Sequence, residues 1–340
     1  MKQKFLYILL LPSLVVVAIF LYFSLTSPPE SSPKVLSLST TTPTPTPTLS
    51  PPLNLLFTGD AMFDRSIRSR GEKEGYSFIL EEITEYLNSF DLVITNLEGP
   101  LTDNQSQSTD SEIGSTDNYI FTFDSEIIPT LKENNLTLLN LGNNHILNFG
   151  EDGLKQTTDY LNENDLKYFG DTGTSLVSPF IIQNLNGLEI VFINHNQFTG
   201  QGIDPTLDLI SRLETQVDLI ILYTHWGEEY QEEPSDTIEE QAYQFIDQGV
   251  DLIIGSHPHV IQTHELYNGK HIYYSLGNFV FDQYFSEETQ QGLLVEVEIQ
   301  KGYEGEINLT TREVFIDMQI NGQTILKQLP IDSEPSLQEI

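Results

Sequence analysis

Six apolar runs of this 340-residue chain end in side chains able to bind a metal ion. LNLLFTGD ends at Asp60, DLVITNLE at Glu98, and LTLLNLGNNH at Asn144 and His145. DLIILYTH ends at His225, DLIIGSHPH at His257 and His259, and IYYSLGN at Asn278. Mixed oxygen and imidazole donors without sulfur suit Mn²⁺, Zn²⁺ or Fe. Asp60, Glu98, Asn144, His225, His257 and His259 suffice for two divalent ions. Ions about 3.5–4 Å apart activate a water and clamp the attacked group, which is the chemistry of a metal-dependent hydrolase.

Each feature also has a plainer reading when taken alone. His257 and His259 stand two residues apart in SHPHV, directly after a strand, with Pro258 stiffening the turn. In an extended segment, residues i and i+2 point to the same side, so both imidazoles face one site. A polar loop with two solvated histidines is the alternative. Asn144 offers a neutral amide oxygen, Gly142 permits a tight turn, and His145 suits a general acid that protonates a leaving group. Capping of the following helix is the plainer role for that pair. Asp60 and Glu98 supply anionic oxygens, one of them bridging the ions, or else serve as strand-end caps, and a lone His225 in THWGEEY is structural. Coincidence of unrelated roles at six strand ends is what the joint pattern argues against.

Further residues stand near these ends. Arg65, one of five arginines, closely follows Asp60 and is suited to hold a substrate carboxylate or phosphate bidentately. A surface ion pair is its alternative. Asn278 is placed to orient substrate or a metal-ligating side chain. His195, in FINHNQ, is a lesser candidate, and His264 and His271 read as structural. Ser–His–Asp catalysis has no support, because a G-x-S-x-G elbow is lacking.

The elements that must position these residues follow from the pattern. Short apolar runs read as buried strands of an α/β sheet. Ligands bind beyond the carboxyl ends of such strands, so the six segments are expected at one edge of one sheet. Strands are predicted at 53–58, 91–95, 136–141, 188–194 and 218–223. Helices are predicted over 77–90, 125–134, from 150, over 208–216 and over 236–249, the last opened by Asp236 and Glu239 as a capping box. A hairpin turning at Asn268–Gly269 is expected, with GLLVEVEIQ and later segments completing a second sheet. The expected architecture is α/β, two packed sheets flanked by helices.

Residues 1–25 join Lys2 and Lys4 to FLYILLLPSLVVVAIFLYFSL, long enough for a span that needs about 20 residues. They read as an uncleaved transmembrane helix with the lysines cytoplasmic and the remainder outside the cell membrane. A cleaved signal peptide is the alternative, but neither an A-x-A site nor a lipobox cysteine is present. Residues 26–52, centred on TTTPTPTPTLSPP, form a semi-rigid spacer, and residues 53–340 one domain. Fifty acidic against 15 basic residues give a net charge of −35, which argues against nucleic acid as a partner and repels polyanions at long range unless salt screens the field or the site carries metal ions. The absence of cysteine excludes disulfides, thiol catalysis and zinc–thiolate sites.

FTGDAMFDR, TNLEGPLT, LGNNHILNFGEDGL, THWGEEY, GSHPHVIQ and YSLGNFVFD together resemble the CapA family. This is the poly-γ-glutamate capsule-synthesis group within the calcineurin-like metallophosphoesterases. The resemblance implies a four-layer α/β/β/α sandwich and a binuclear centre with Asp60, Glu98, Asn144, His225, His257 and His259 as ligands and His145 as proton donor. Two departures stand out: Met62 replaces the histidine of the usual Asp-x-His, and Ser256 replaces the first histidine of G-H-H-P-H. The expectation is a membrane-anchored, extracytoplasmic hydrolase acting on a phosphoester or an anionic envelope polymer, with capsule-synthesis membrane proteins as partners. A non-catalytic scaffold or export component is the alternative.

Overall fold

The computed structural model describes residues 51–303 and 305–327. The expected membrane helix over 1–25 and almost all of the spacer lie outside them. No helix among the described residues is long and apolar enough to cross a membrane.

Strands β1 (Leu53–Ala61), β2 (Leu92–Leu97), β3 (Leu136–Asn140) and β4 (Lys167–Phe169) lie parallel in one sheet. A second sheet holds β5 (Phe180–Leu185), β6 (Leu188–Asn196), β7 (Leu219–His225), β8 (Leu252–Ser256), β9 (His264–Tyr267) and β10 (Lys270–Tyr273), in the order β5-β6-β7-β8-β10-β9. The short β11 (Asn278–Val280) crosses back to the first sheet beside the end of β1. The first sheet is completed by β12 (Gln291–Lys301), antiparallel to β1, and by β13 (Ile307–Met318) and β14 (Thr324–Leu326), each antiparallel to the strand before it.

Side chains alternate across each strand, and here both faces are buried, which is why the runs read as continuously apolar. Leu53, Leu55 and Phe57 of β1 meet Phe192, Ile221, Tyr223 and Ile254 between the sheets. Leu56 faces the other way, into a core shared with the helices Arg65–Glu74, Ile127–Glu133 and Gly150–Glu163. Val191 and Leu222 likewise face the helices Asp204–Leu213 and Asp236–Asp247. The layers therefore run helix, sheet, sheet, helix, as the patterning implied.

Several expectations need correction. β12 to β14 extend the first sheet and not the second, because β12 lies antiparallel along β1 over Leu53–Phe57. The predicted helix over 77–90 is broken into the turns Tyr76–Ile79 and Glu81–Ile83 and the single helical turn Thr84–Leu87. The breaks fall at Leu80 and Ile83, whose φ of −115° and −121° leave the helical region, while the apolar Ile79, Leu80, Ile83 and Leu87 all stay buried. The helix Asp204–Leu213 starts earlier than predicted, with proline in its first turn, where proline is favoured. The capping box does not form: the N-cap of Asp236–Asp247 is Ser235, with no side-chain cap. The helix Arg65–Glu74 was not anticipated; Asp64 caps it, accepting from the Arg65 amide. The hairpin turns at Asn268 and Gly269 as expected, both with left-handed φ, 49° and 75°.

Phe192 packs on Phe57 and Phe169 of the opposite sheet, with ring centroids 6.4 and 6.2 Å away. Phe192→Ala should cost about 3–5 kcal/mol through lost transfer and cavity terms. In urea unfolding this lowers the midpoint at unchanged slope; a loss under about 1 kcal/mol would mean that the sheets do not share this core.

Candidate metal centre

Strand register places the first three polar groups. Asp60 of β1 pairs with Asn96 of β2, and Asn96 with Asn140 of β3. The three form a buried row in which Asn96 donates to Asp60 Oδ1 at 2.7 Å and Asn140 donates to Asn96 Oδ1 at 3.0 Å. The second Asp60 oxygen accepts from the His257 backbone amide at 3.1 Å, tying the first sheet to the turn after β8. The site thus lies where the carboxyl ends of both sheets meet, not at the edge of one sheet as the sequence suggested. β1, β2 and β3 bring Asp60, Glu98, Asn144 and His145, while β7 and β8 bring His225, His257 and His259.

Glu98 follows β2 and is fully buried, and neither carboxylate oxygen has a hydrogen-bond donor. Burial pushes its carboxyl well above the usual range; Asp60 and Glu229 add to the rise, and Arg65 opposes it. A buried, donor-free carboxylate must take up a proton or a cation.

The histidines present lone pairs toward it. His225 Nδ1 lies 2.9 Å from Ser256 Oγ, whose own proton goes to the Thr224 carbonyl at 2.8 Å. The ring proton therefore sits on Nδ1, and Nε2 turns its lone pair to Asn144 Oδ1, 2.9 Å away. Two acceptors so close repel unless a cation lies between them, which fits two ligands of one ion. His259 Nδ1 donates to Asn278 Oδ1 at 3.0 Å, leaving Nε2 facing Glu98 Oε1 at 3.7 Å. The Asn278 amide is itself oriented by donating to the carbonyl oxygens of His259 and Thr289 and to Gln283 Oε1. His257 Nδ1 is buried without a partner. Burial holds the His257 ring down to about 3, with His259 adding to the effect, and burial and the neighbouring imidazoles hold His225 far below its usual value. Both are neutral, as metal ligands must be.

Three overlapping triads result: Glu98, His225 and His257; Asp60, Glu98 and His259; Glu229, His257 and His259. Within each, the donor atoms lie within 4.8 Å of one another. The set is chemically apt for a divalent ion, and the orphaned Glu98 oxygens are the strongest sign of one. Glu229, in THWGEEY, went unnoticed in the sequence. Its signal was a carboxylate in the turn just after His225.

His145 is turned inward because Asn143 accepts from its backbone amide at 3.1 Å while donating to Asn96 Oδ1 and the Leu97 carbonyl. Its Nδ1 donates to Asn148 Oδ1 at 3.2 Å, so Nε2 faces Glu98 Oε1 at 3.9 Å. Burial holds the ring down to about 4, with His259 adding to the effect. Neither Asn144 nor His145 caps the helix Gly150–Glu163, whose N-cap is Phe149. Gly142 is needed for close approach: a Cβ there would lie 1.8 Å from Asn194 Oδ1.

His257 and His259 do not converge through extended backbone. Both have left-handed φ, 100° and 59°, and their ring centroids lie 5.9 Å apart. Among the described residues, eight non-glycine positions have positive φ. Four are Asn or Asp, which tolerate it; the others are Arg65, Tyr230, His257 and His259, all at this site.

Arg65 borders the centre without being free. Its Nη2 lies 2.5 Å from Asp282 Oδ1, though neither atom has hydrogen-bond alignment. The guanidinium sits over Phe121 and Phe281, 5.1 and 5.2 Å from the ring centroids, and lines a groove of about 480 Å³. His195 is not brought in: its Nδ1 meets Thr206 Oγ1 at 3.1 Å and its ring packs on Phe245. His264 and His271 hydrogen-bond each other at 2.6 Å on the β9–β10 hairpin. Met62, in the Asp-x-His slot, is fully buried and accepts from the Asp64 amide at 2.9 Å.

Two sheets in a four-layer sandwich, with acidic, amide and imidazole side chains at their joined carboxyl ends, define a metallophosphoesterase-like protein. Residues 54–283 match the family described as bacterial capsule synthesis protein PGA_cap, and the chain belongs to that family. It is 29% identical over 305 residues to the PGA biosynthesis protein CapA of Bacillus subtilis strain 168, covering 83% of this chain and 78% of that one. It is 31% identical over 268 residues to the capsule biosynthesis protein CapA of Bacillus anthracis, covering 73% of this chain and 64% of that one. Among solved structures, a hypothetical protein from Thermus thermophilus aligns over 84% of this chain and 99% of that one, at 14% identity and a TM-score of 0.45.

If Glu98 is held in place for a cation, metal-free Glu98→Gln should melt about 2 °C or more above metal-free wild type, since relief of 1 kcal/mol moves the midpoint of a domain this size by roughly 2–4 °C. It should also gain less than wild type on addition of Zn²⁺ or Mn²⁺. A lower midpoint in chelator would make Glu98 an ordinary structural carboxylate. Asn278→Ala, which frees the His259 ring, should weaken metal affinity about 10- to 100-fold in a competition titration; unchanged affinity would remove Asn278 from that role.

Proposed function

We propose that this chain is a metal-dependent hydrolase of capsule or cell-envelope polymer synthesis, acting on a phosphoester or an anionic polymer of the poly-γ-glutamate kind. The observation that carries the reading is the donor-free Glu98 carboxylate among inward-facing histidines. Two divalent ions, Mn, Zn or Fe, are held by Asp60, Glu98, Asn144, His225, His257 and His259, with Glu229 as a further donor. When bound, such ions supply Lewis-acid polarisation and a nucleophile at neutral pH. The residues of the chain do the remainder. Ser256 and Asn278 fix which nitrogen of His225 and His259 carries the proton. His145 keeps Nδ1 on Asn148 in either charge state and carries the transferable proton on Nε2. Burial, with His259 adding to it, keeps that ring neutral; an anionic group bound beside it would favour the imidazolium and so offset the bound cations, which oppose it. Arg65, already offset by Asp282, turns its remaining edge to the groove for a substrate oxyanion.

Lys2, Lys4 and the apolar stretch that follows support a single-pass anchor with the catalytic domain outside the cell membrane, where capsule-synthesis membrane proteins are its partners. A second reading, an envelope scaffold or export component, draws on Met62, which offers no imidazole in the Asp-x-His position.

Elemental analysis of the full chain separates the two: about two Mn, Zn or Fe per chain, lost in His257→Ala/His259→Ala, supports the hydrolase, and a chain that takes up no metal supports the scaffold. His145→Ala should lower turnover of a phosphoester about 10²- to 10⁴-fold while sparing metal content; unchanged turnover would remove it as the acid.

A further inference from the structure

The groove beside the metal cluster is walled by Tyr119, Tyr230 and Phe285 and edged by Arg65, Asn118 and Gln283. Its aromatic side chains are unusually open to solvent. Of the five aromatic residues exposed among the described residues, these three line this groove, and a fourth, Phe198, lies against His257 with ring centroids 4.3 Å apart. Large exposed rings gathered at one concavity mark a contact surface for a ligand.

Tyr230 is also held there against its own preference. Its φ is 64°, an outlier for a bulky side chain. The Tyr230 amide donates to the Pro258 carbonyl at 2.8 Å, and Gln283 Nε2 donates to its hydroxyl at 3.2 Å. Gln283 Oε1 accepts from Asn278 at 3.2 Å, and Asn278 Oδ1 accepts from His259. One chain of hydrogen bonds therefore sets both the aromatic wall and a metal-facing imidazole, which is the fixed spacing a substrate reaching from one to the other requires.

Charge and ring geometry narrow what fits. Arg65 is the only cation among the lining residues, and Asp282 lies 2.5 Å from it. A run of carboxylates would find no counter-charge here. Tyr230 and Phe285 meet at 85° with centroids 5.2 Å apart, so their faces form a corner, not a slot. A flat base stacks within a slot, and an acyl chain leaves amides and hydroxyls unpaired. A saturated sugar ring offers slightly positive C–H faces to the negative faces of both rings, and its hydroxyls can meet the exposed Tyr119 side chain, whose phenol is both donor and acceptor.

We propose that this groove is a sugar-binding subsite, which takes an uncharged hexose ring of the substrate while one anionic group lies at the metal cluster. This rests on the hydrolase reading for its place beside the chemistry, but it can fail separately. On the full chain, saturation-transfer NMR with methyl glucoside, which needs no metal, should show transfer to the ring protons. Phe285→Ala, at a position 66% exposed, should weaken that binding roughly two- to tenfold, the size of one aromatic contact. Absence of transfer, or transfer unaffected by both Phe285→Ala and Tyr230→Ala, overturns the subsite. So does a γ-linked glutamate trimer that binds more tightly and displaces the glucoside. Inorganic phosphate, titrated calorimetrically with Zn²⁺ present, tests the other reading. Glucoside binding without phosphate binding keeps the subsite and overturns the hydrolase; phosphate binding without glucoside binding does the reverse.

Discussion

Two carboxylates, Asp60 and Glu98, are buried together where the sheets meet, and the supply of donors around them is unequal. Asp60 has both oxygens satisfied, one by Asn96 and one by the His257 amide. Glu98 has none. A second asparagine at its side would have been the simple structural solution, as the row of Asn96 and Asn140 shows. The chain instead surrounds Glu98 with imidazoles whose protons are drawn outward, by Ser256 from His225 and by Asn278 from His259. Every such choice concentrates lone pairs and negative charge on one small volume. In a low-dielectric pocket that arrangement is costly without a cation, so uptake of a metal there would be coupled to folding through Glu98.

The same volume is where the backbone is most constrained. His257 and His259 take left-handed conformations in a segment with proline between them, Tyr230 does so in the turn after β7, and Arg65 at the first residue of its helix. Such outliers persist only where the surroundings over-determine them. Here the surroundings are specific: the His257 amide is held by Asp60, the Tyr230 amide by Pro258 and the Arg65 amide by Asp64. Rigidity is thereby built into turns, which lack the ladder hydrogen bonds that hold strands.

Strand ends were legible because a buried strand reads as an apolar run and a polar residue at its end interrupts the pattern. That alone located Asp60, Glu98, Asn144, His225, His257 and His259. Sheet membership was not legible: local periodicity reports that β7 is buried on both faces but not which strand lies beside it. Hence a site shared by two sheets was read as the edge of one, and β12 was assigned to the wrong sheet. The helix over 77–90 failed for a different reason: Ile79, Ile83 and Leu87 are buried at helical spacing, so the apolar pattern does not reveal that the backbone breaks at Leu80 and Ile83. Glu229 lay in a motif already singled out, but a glutamate in an acidic chain carries little information until the fold brings it to His257 and His259.

The net charge of −35 and the chemistry of the site pull in opposite directions. A polyanionic substrate approaching such a surface is repelled once it comes within about 8–10 Å at ordinary ionic strength, since salt screens the field farther out. Among the residues lining the groove only Arg65 is cationic, and Asp282 offsets it. On the proposed reading, the attraction for an anionic group would come from ions at the Glu98 cluster, whose local charge would reverse the sign of the field. An anionic group seated at those ions while the aromatic groove takes an uncharged part of the same molecule satisfies both constraints. A long run of carboxylates satisfies only the first, because each unit beyond the centre would lie against an acidic protein with no counter-charge in reach.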